Sequence, residues 1–153
     1  MVGLPARQLN RLQSVLNAAA RLIYSARKSE HVSPLLRQLH WLRVPQRIKF
    51  RLAVHVHHCL NGSAPRYLAS ELWRVSDTES RRWLLSLLTA SLLVPRMLHK
   101  TFSDCAFPIM AAKIWNSLSS STTSLKPLLA FRRALKTELF QRSHGGHNIE
   151  QNN

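Results

Sequence analysis

The sequence predicts a mainly α protein, a compact helical domain of about five helices. An irregular or short-hairpin segment is expected at 75–108. Three observations lead there. Apolar residues recur three and four apart in most stretches instead of alternating. Prolines and Ser/Asn/Gly clusters fall between those stretches, where helices start and stop. A chain of 153 residues with 45% apolar content suits one domain with a sizeable core. The division expected is a basic helical domain over 1–143 and a disordered polar tail over 144–153, SHGGHNIEQNN from Ser143 onward.

In the first element, residues 7–26, Leu9, Leu12, Leu16, Ala19 and Ile23 form one apolar stripe, and Arg7, Arg11, Arg21 and Arg27 lie off it. SEHVSP (29–34) breaks that pattern. Ser33 then offers a capping hydroxyl and Pro34 a residue whose missing N–H costs nothing at a helix start, so a short helix through Leu39 follows. Val44-Pro45 marks the next boundary, because the residue before proline avoids the α region.

The helix from Pro45 to about Leu60 is the longest clear one. Ile48, Leu52, Val56 and Leu60 form its main stripe, and His55 is expected there as a core histidine. Phe50 and Val54 fall on the side of Arg43, Arg47 and Arg51, which predicts contacts on two faces. NGSAP (61–65) is a turn, with Gly62 as the helix stop, and PRYLASEL makes a short helix. Residues 75–108 hold β-branched and aromatic residues in short runs cut by Pro95 and Pro108. MAAKIWNSL (110–118) is helical and SSSTTS (119–124) is a polar loop with Ser124 as a cap. The last helix, 125–141, sets Leu128, Phe131, Leu135 and Leu139 opposite Arg132, Arg133 and Lys136. Trp41, Trp115 and Phe131 are expected in the core.

Catalytic chemistry finds little to stand on. A metal-dependent polymerase or nuclease needs clustered carboxylates, and the one close pair, Asp77 and Glu79, sits in a charged turn, SDTESRR. No Gly-rich phosphate loop and no Gly-x-Ser-x-Gly elbow occur. HVHHC (55–59) places His55 and Cys59 one turn apart, but His57 points away from both and no second ligand pair exists. Cys105 has Lys100 near it in sequence but no designed electropositive turn. No catalytic residue, metal, cofactor or small-molecule substrate is expected. Two cysteines without a Cys-x-x-Cys spacing fit a reducing compartment. The most apolar stretch, WLLSLLTASLLVP (83–95), is too short to span a bilayer, so no membrane partner is expected and the location predicted is intracellular, cytoplasm or nucleus.

Charge is the strongest signal. Lys and Arg number 22 against 7 acids, a net +15, and the excess runs along the whole chain: 12 basic and 2 acidic residues over 1–76, then 10 and 5 over 77–153. Such an imbalance exceeds what solubility requires and points to a polyanionic partner, RNA or DNA. The stretch LRQLHWLRVPQRIKF (36–50) focuses the expectation. Leu36, Leu39, Trp41, Leu42 and Ile48 build a corner between two helices, and Arg37, Arg43, Arg47, Lys49 and Arg51 decorate its outside. Together with Arg132, Arg133 and Lys136 they are the expected nucleic-acid-binding residues, making phosphate contacts that carry no base code. Trp41, Phe50 and Tyr67 are set among the basic residues and would stack on unpaired bases if exposed, although for Trp41 the core is the expectation.

One segment carries a family likeness. RKSEHVSPLLRQLHWLRVPQRIKFRLAV (27–54) resembles a stretch near the carboxyl end of the reverse transcriptase of non-LTR retrotransposons, the LINE elements of jockey-like and chicken-repeat-like kinds. LQSVLNAAARLI (12–23) precedes it. CLNGSAPRYL (59–68), RRWL (81–84), LLVPR (92–96), KTFSDCAF (100–107), KIWNSL (113–118) and FRRALKTELF (131–140) follow in the family's order. The likeness covers about 9 to 141. It implies a segment that follows the polymerase thumb, without the family's catalytic aspartates or endonuclease residues. On that reading the chain is a non-catalytic piece of an RNA-directed DNA polymerase that holds template RNA or target DNA. The alternative is a structural module docked on the upstream polymerase domain, or a decayed relic with no independent activity. Departures from the family pattern include LLSLL (84–88) where an Arg/Ser-rich turn is usual, and Ser119 where a proline is usual.

Overall fold

A computed structural model describes residues 5–75, 91–95 and 106–145. Seven helices order them: α1 (Ala6–Ile23), α2 (Val32–Gln38), α3 (Val44–Leu60), α4 (Arg66–Ala69), α5 (Phe107–Asn116), α6 (Ser120–Thr123) and α7 (Leu128–His144). α4 and α6 are single turns, which leaves five substantial helices in a mainly α domain. Among the described residues β pairing is confined to one antiparallel bridge, Arg74 with Leu92. It is flanked by the Val75 N–H to the Ser91 carbonyl at 3.2 Å and the Leu93 N–H to the Trp73 carbonyl at 2.8 Å. Of the expected irregular or short-hairpin segment at 75–108, residues 76–90 and 96–105, with Asp77, Glu79, Lys100 and Cys105, lie outside the described residues, and Phe107 and Pro108 already belong to α5.

α3 is the hub, packing on α1, α4, α5 and α7. The core forms where α3, α5 and α7 meet: Ala53 and Val56 from α3, Met110, Ala111, Ile114 and Trp115 from α5, Phe131, Leu135 and Leu139 from α7. Trp115 and Phe131 are core residues, 3% and 0% exposed, as the sequence predicts. Phe50 and Val54 are half-buried and pack against this same cluster. Leu92 joins it, held by Asn116, whose side chain accepts the Leu92 N–H and donates to the Leu92 carbonyl, both at 2.8 Å. That pincer links the KIWNSL and LLVPR stretches in space.

The expected stripe of α3 is corrected. Ile48, Leu52 and Leu60 are only half-buried, whereas Ala53, Val56, His57 and Cys59 are buried. A strict i+4 row drifts by about 40° around the helix at each step, so it slants across the surface and only part of it meets the core. For the same reason His55 is exposed and His57 is the buried histidine. Its Nε2–H donates to the Leu125 carbonyl at 3.0 Å, Asn61 reaches Nδ1 at 3.2 Å, and its ring stacks on Phe131.

The helix ends share one device. α1, α2 and α3 each stop at a residue in the left-handed region: Ser25 (φ 50°), His40 (φ 51°) and Gly62 (φ 71°). In each, the next N–H reaches back to the carbonyl five residues earlier: Ala26 to Arg21, Trp41 to Leu36, Ser63 to His58, all at 2.9 Å. This is the Schellman closure. Two predicted caps are corrected. α2 begins at Val32, and the Ser33 hydroxyl accepts from Arg43 Nη2 at 3.0 Å instead of capping. α7 begins after Pro127, not at Ser124; the side-chain cap in this region is Ser119, which accepts the Thr122 N–H at the start of α6. α7 also runs through His144, one residue past the expected domain end.

α1 leans on α2 and α3, and buries one residue, Ala20. Its stripe is only partly covered: Leu9, Leu16 and Ala19 are half-buried, but Leu12 is 51% exposed and Ile23 56%, with Val15 and Leu22 beside them at 68% and 80%. No helix among the described residues is long and apolar enough to cross a membrane.

Candidate nucleic-acid interface

The α2–α3 corner is built by backbone chemistry before any function enters. His40 in the left-handed conformation turns the chain sharply after α2. Arg43 is extended at the N-cap of α3, and its carbonyl accepts the Gln46 and Arg47 N–H groups at 3.0 Å. The Val44 N–H, which has no partner inside the helix, is met by Gln13 Oε1 of α1 at 2.9 Å. The corner therefore projects His40 and Trp41 between the first turns of α3 and the side of α7.

Three of the eight basic residues expected at the interface converge there. Arg47 and Arg51 of α3 and Lys136 of α7 line a cavity of about 380 Å³ with His40, Trp41, Leu42 and Phe50. Arg47 is held in place: its Nε donates to the Leu42 carbonyl at 3.0 Å, and its guanidinium carbon lies 5.4 Å from the Trp41 ring centroid, a cation–π geometry. The side chains of Arg51 and Lys136 are exposed, and neither makes a hydrogen bond to another described residue. His40 stacks on Phe140 with centroids 5.7 Å apart.

The other five are placed differently. Arg37 donates to the His144 carbonyl at 3.0 Å and Arg43 to Ser33, so both spend hydrogen bonds on the fold. They also stand beside His144, whose protonation is disfavoured first by burial and then by these two cations, against a raising contribution from the Trp41 carbonyl. Lys49 is half-buried on α3. Arg132 and Arg133 are exposed on α7, one turn before Lys136. Tyr67, 71% exposed on α4, stands apart from the cavity, and Trp41 is half-buried rather than core. His40 is the wall residue that sequence reasoning missed. Its only trace in the sequence is its place directly after the last turn of α2.

Among the described residues no carboxylate lines the cavity. Three carboxylates fall among the described residues: Glu71 is exposed beyond α4, Glu30 accepts the Arg27 N–H, and Glu138 is taken up by Ser119, Thr122 and Arg142. Trp41 and Arg47 also form one wall of a second cavity, about 370 Å³, whose other lining is apolar: Leu12, Val15, Leu16, Ala19 and Val44.

Elsewhere the chemistry is structural. His58 bonds the Ser63 hydroxyl at 2.7 Å, and burial pushes the buried Cys59 thiol up, against a smaller lowering from a backbone hydrogen bond, which suits a packing residue rather than a nucleophile. Among the described residues no three His, Cys, Asp or Glu side chains group as metal ligands. No protein-family model, curated protein or solved structure matches this chain.

Proposed function

We propose that this chain is a non-catalytic module that holds RNA or DNA by its phosphates, the carboxyl-terminal part of an RNA-directed DNA polymerase of the non-LTR retrotransposon kind. The observation that carries the binding reading is the convergence of Arg47, Arg51 and Lys136 from two helices on one cavity, with no carboxylate among its described lining residues. Each cation placed at a phosphate releases a condensed counterion, so a few of them yield strong, salt-sensitive affinity. The net charge of +15 adds a long-range attraction for any polyanion. The polymerase assignment is supported by the ordered motifs from LQSVLNAAARLI to FRRALKTELF.

The test is binding of the full chain to RNA and DNA strands across a salt series. Affinity should fall steeply with salt, and Arg51→Glu with Lys136→Glu should flatten the log–log slope by about 2, one per lost phosphate contact. These two residues are chosen because neither bonds the fold. No binding even in dilute salt would overturn the reading.

A second reading has its own support. The bare Leu12, Val15, Leu22 and Ile23 on α1 form an apolar face of the kind that marks a protein contact. On this reading α1 docks on the upstream polymerase domain. Lys substitutions at Val15 and Leu22 would then abolish association with that domain and leave nucleic-acid affinity intact.

A further inference from the structure

Phosphate binding requires only cations, and the α2–α3 corner holds more than cations. The rings of His40, Trp41 and Phe50 line the same cavity as Arg47, Arg51 and Lys136. Ring surface does nothing for a phosphate oxygen, but it matches the π-face that every nucleobase carries. At about 380 Å³ the cavity is at the small end of ligand pockets, suited to one planar group rather than a folded one.

Resting on the phosphate reading, we propose that this cavity seats one unpaired base of a single strand, with Arg51 and Lys136 on the adjoining phosphates. Two observations besides the lining bear on it. Arg47 is clamped between the Leu42 carbonyl and the Trp41 ring, so the guanidinium and indole are preorganised as a stacking surface and need little ordering when a base arrives. His40 ends α2 in a left-handed turn, and its imidazole stacks on Phe140 with centroids 5.7 Å apart, so this wall ring too is fixed before a ligand arrives. A duplex hides the faces of its bases inside its own stack, so it can offer this cavity only its backbone. Stacking on a ring accepts the face of any base, so the preference is for unpaired bases over paired ones.

The experiment compares three probes with the full chain at one low salt concentration: an oligothymidine strand, an abasic strand of equal length and charge, and a duplex. Oligothymidine should bind about tenfold tighter than the abasic strand. His40→Gly, which puts the favoured residue at that backbone position, and Phe50→Leu should each bring the ratio towards one. His55→Ala, exposed and outside the cavity, should keep it. Equal affinity for oligothymidine and the abasic strand would overturn the base pocket and leave the phosphate reading standing. Failure of every probe to bind would overturn the phosphate reading itself. Thymidine monophosphate competing as well as the strand would make the cavity a free-nucleotide site, and the single-strand assignment would be wrong.

Discussion

The imidazole of His57 stacks on the ring of Phe131, with centroids 4.3 Å apart and planes 24° from parallel. Phe131 in turn stacks on Trp115 at 5.7 Å, so a polar ring opens a run of aromatics joining α3, α7 and α5. His57 is tolerated there because Leu125 and Asn61 meet its two nitrogens. His57→Ala should cost about 3 kcal/mol in chemical denaturation, combining a cavity with a lost hydrogen bond. His55→Ala should stay within about 0.5 kcal/mol. Equal losses would place both histidines in like surroundings and refute the rotation of α3 described above.

The two tryptophans should separate in the same measurement. Trp115→Ala should cost about 3–5 kcal/mol, the range for a fully buried aromatic. Trp41 is half-buried, so Trp41→Ala should cost about 2 kcal/mol. A Trp41 loss matching that of Trp115 would mean a core residue and remove its ring from the cavity.

Left-handed helix stops make a paired prediction. Ser25 and Gly62 hold equivalent positions at the ends of α1 and α3. Ser25→Gly should raise stability by about 0.5 kcal/mol, because glycine adopts that backbone without steric cost. Gly62→Ala should lower it by about 1 kcal/mol, although nothing stands within 4 Å of the added methyl carbon. Thermal melts of both variants check the pair, and a stabilising Gly62→Ala would contradict it.

Glu138 couples stability to acid. Burial alone would raise its carboxyl value, but hydrogen bonds from Thr122 Oγ1 and from the Ser119 N–H and Oγ, with the Arg142 cation, outweigh burial and leave it below the ordinary carboxylate range. The unfolded chain returns it to that range, so on acidification the unfolded state takes up the proton first. Its stabilising contribution is complete above the ordinary range and lost as pH falls through the folded value. Glu138→Gln should cost about 1 kcal/mol at neutral pH, and the deficit should close in acid. A deficit that stays constant with pH would rule out the linkage.

The uncovered face of α1 predicts tolerance. Val15→Lys and Leu22→Lys should each change folding stability by less than about 0.5 kcal/mol, whereas Ala20→Leu should cost about 1–3 kcal/mol by forcing α1 off the helices it packs on. If the two lysine variants unfolded the chain, the face would be covered in the protein as it stands.

The site was partly legible in advance. Arg47, Arg51 and Lys136 were recognisable as basic positions on amphipathic helices, yet their meeting joins residues about ninety apart and depends on how α7 crosses α3. Arg37 and Arg43 read identically in the sequence and turn out to hold His144 and Ser33. Ser33 and Ser124 had the chemistry of caps, but α2 begins one residue before Ser33, whose hydroxyl meets Arg43, and α7 takes Pro127 rather than Ser124 as its N-cap.

What the sequence by itself determined is the helical class, the main boundaries and the cationic surplus, because periodicity, proline and glycine placement, and charge are local and additive. Only the tertiary structure decided which face of α3 is buried, that His57 rather than His55 enters the core, and which cations share a cavity with His40, Trp41 and Phe50. Those outcomes depend on the rotation and crossing of whole helices, and that geometry is set by the joint packing of α3, α5 and α7 rather than by any one of them.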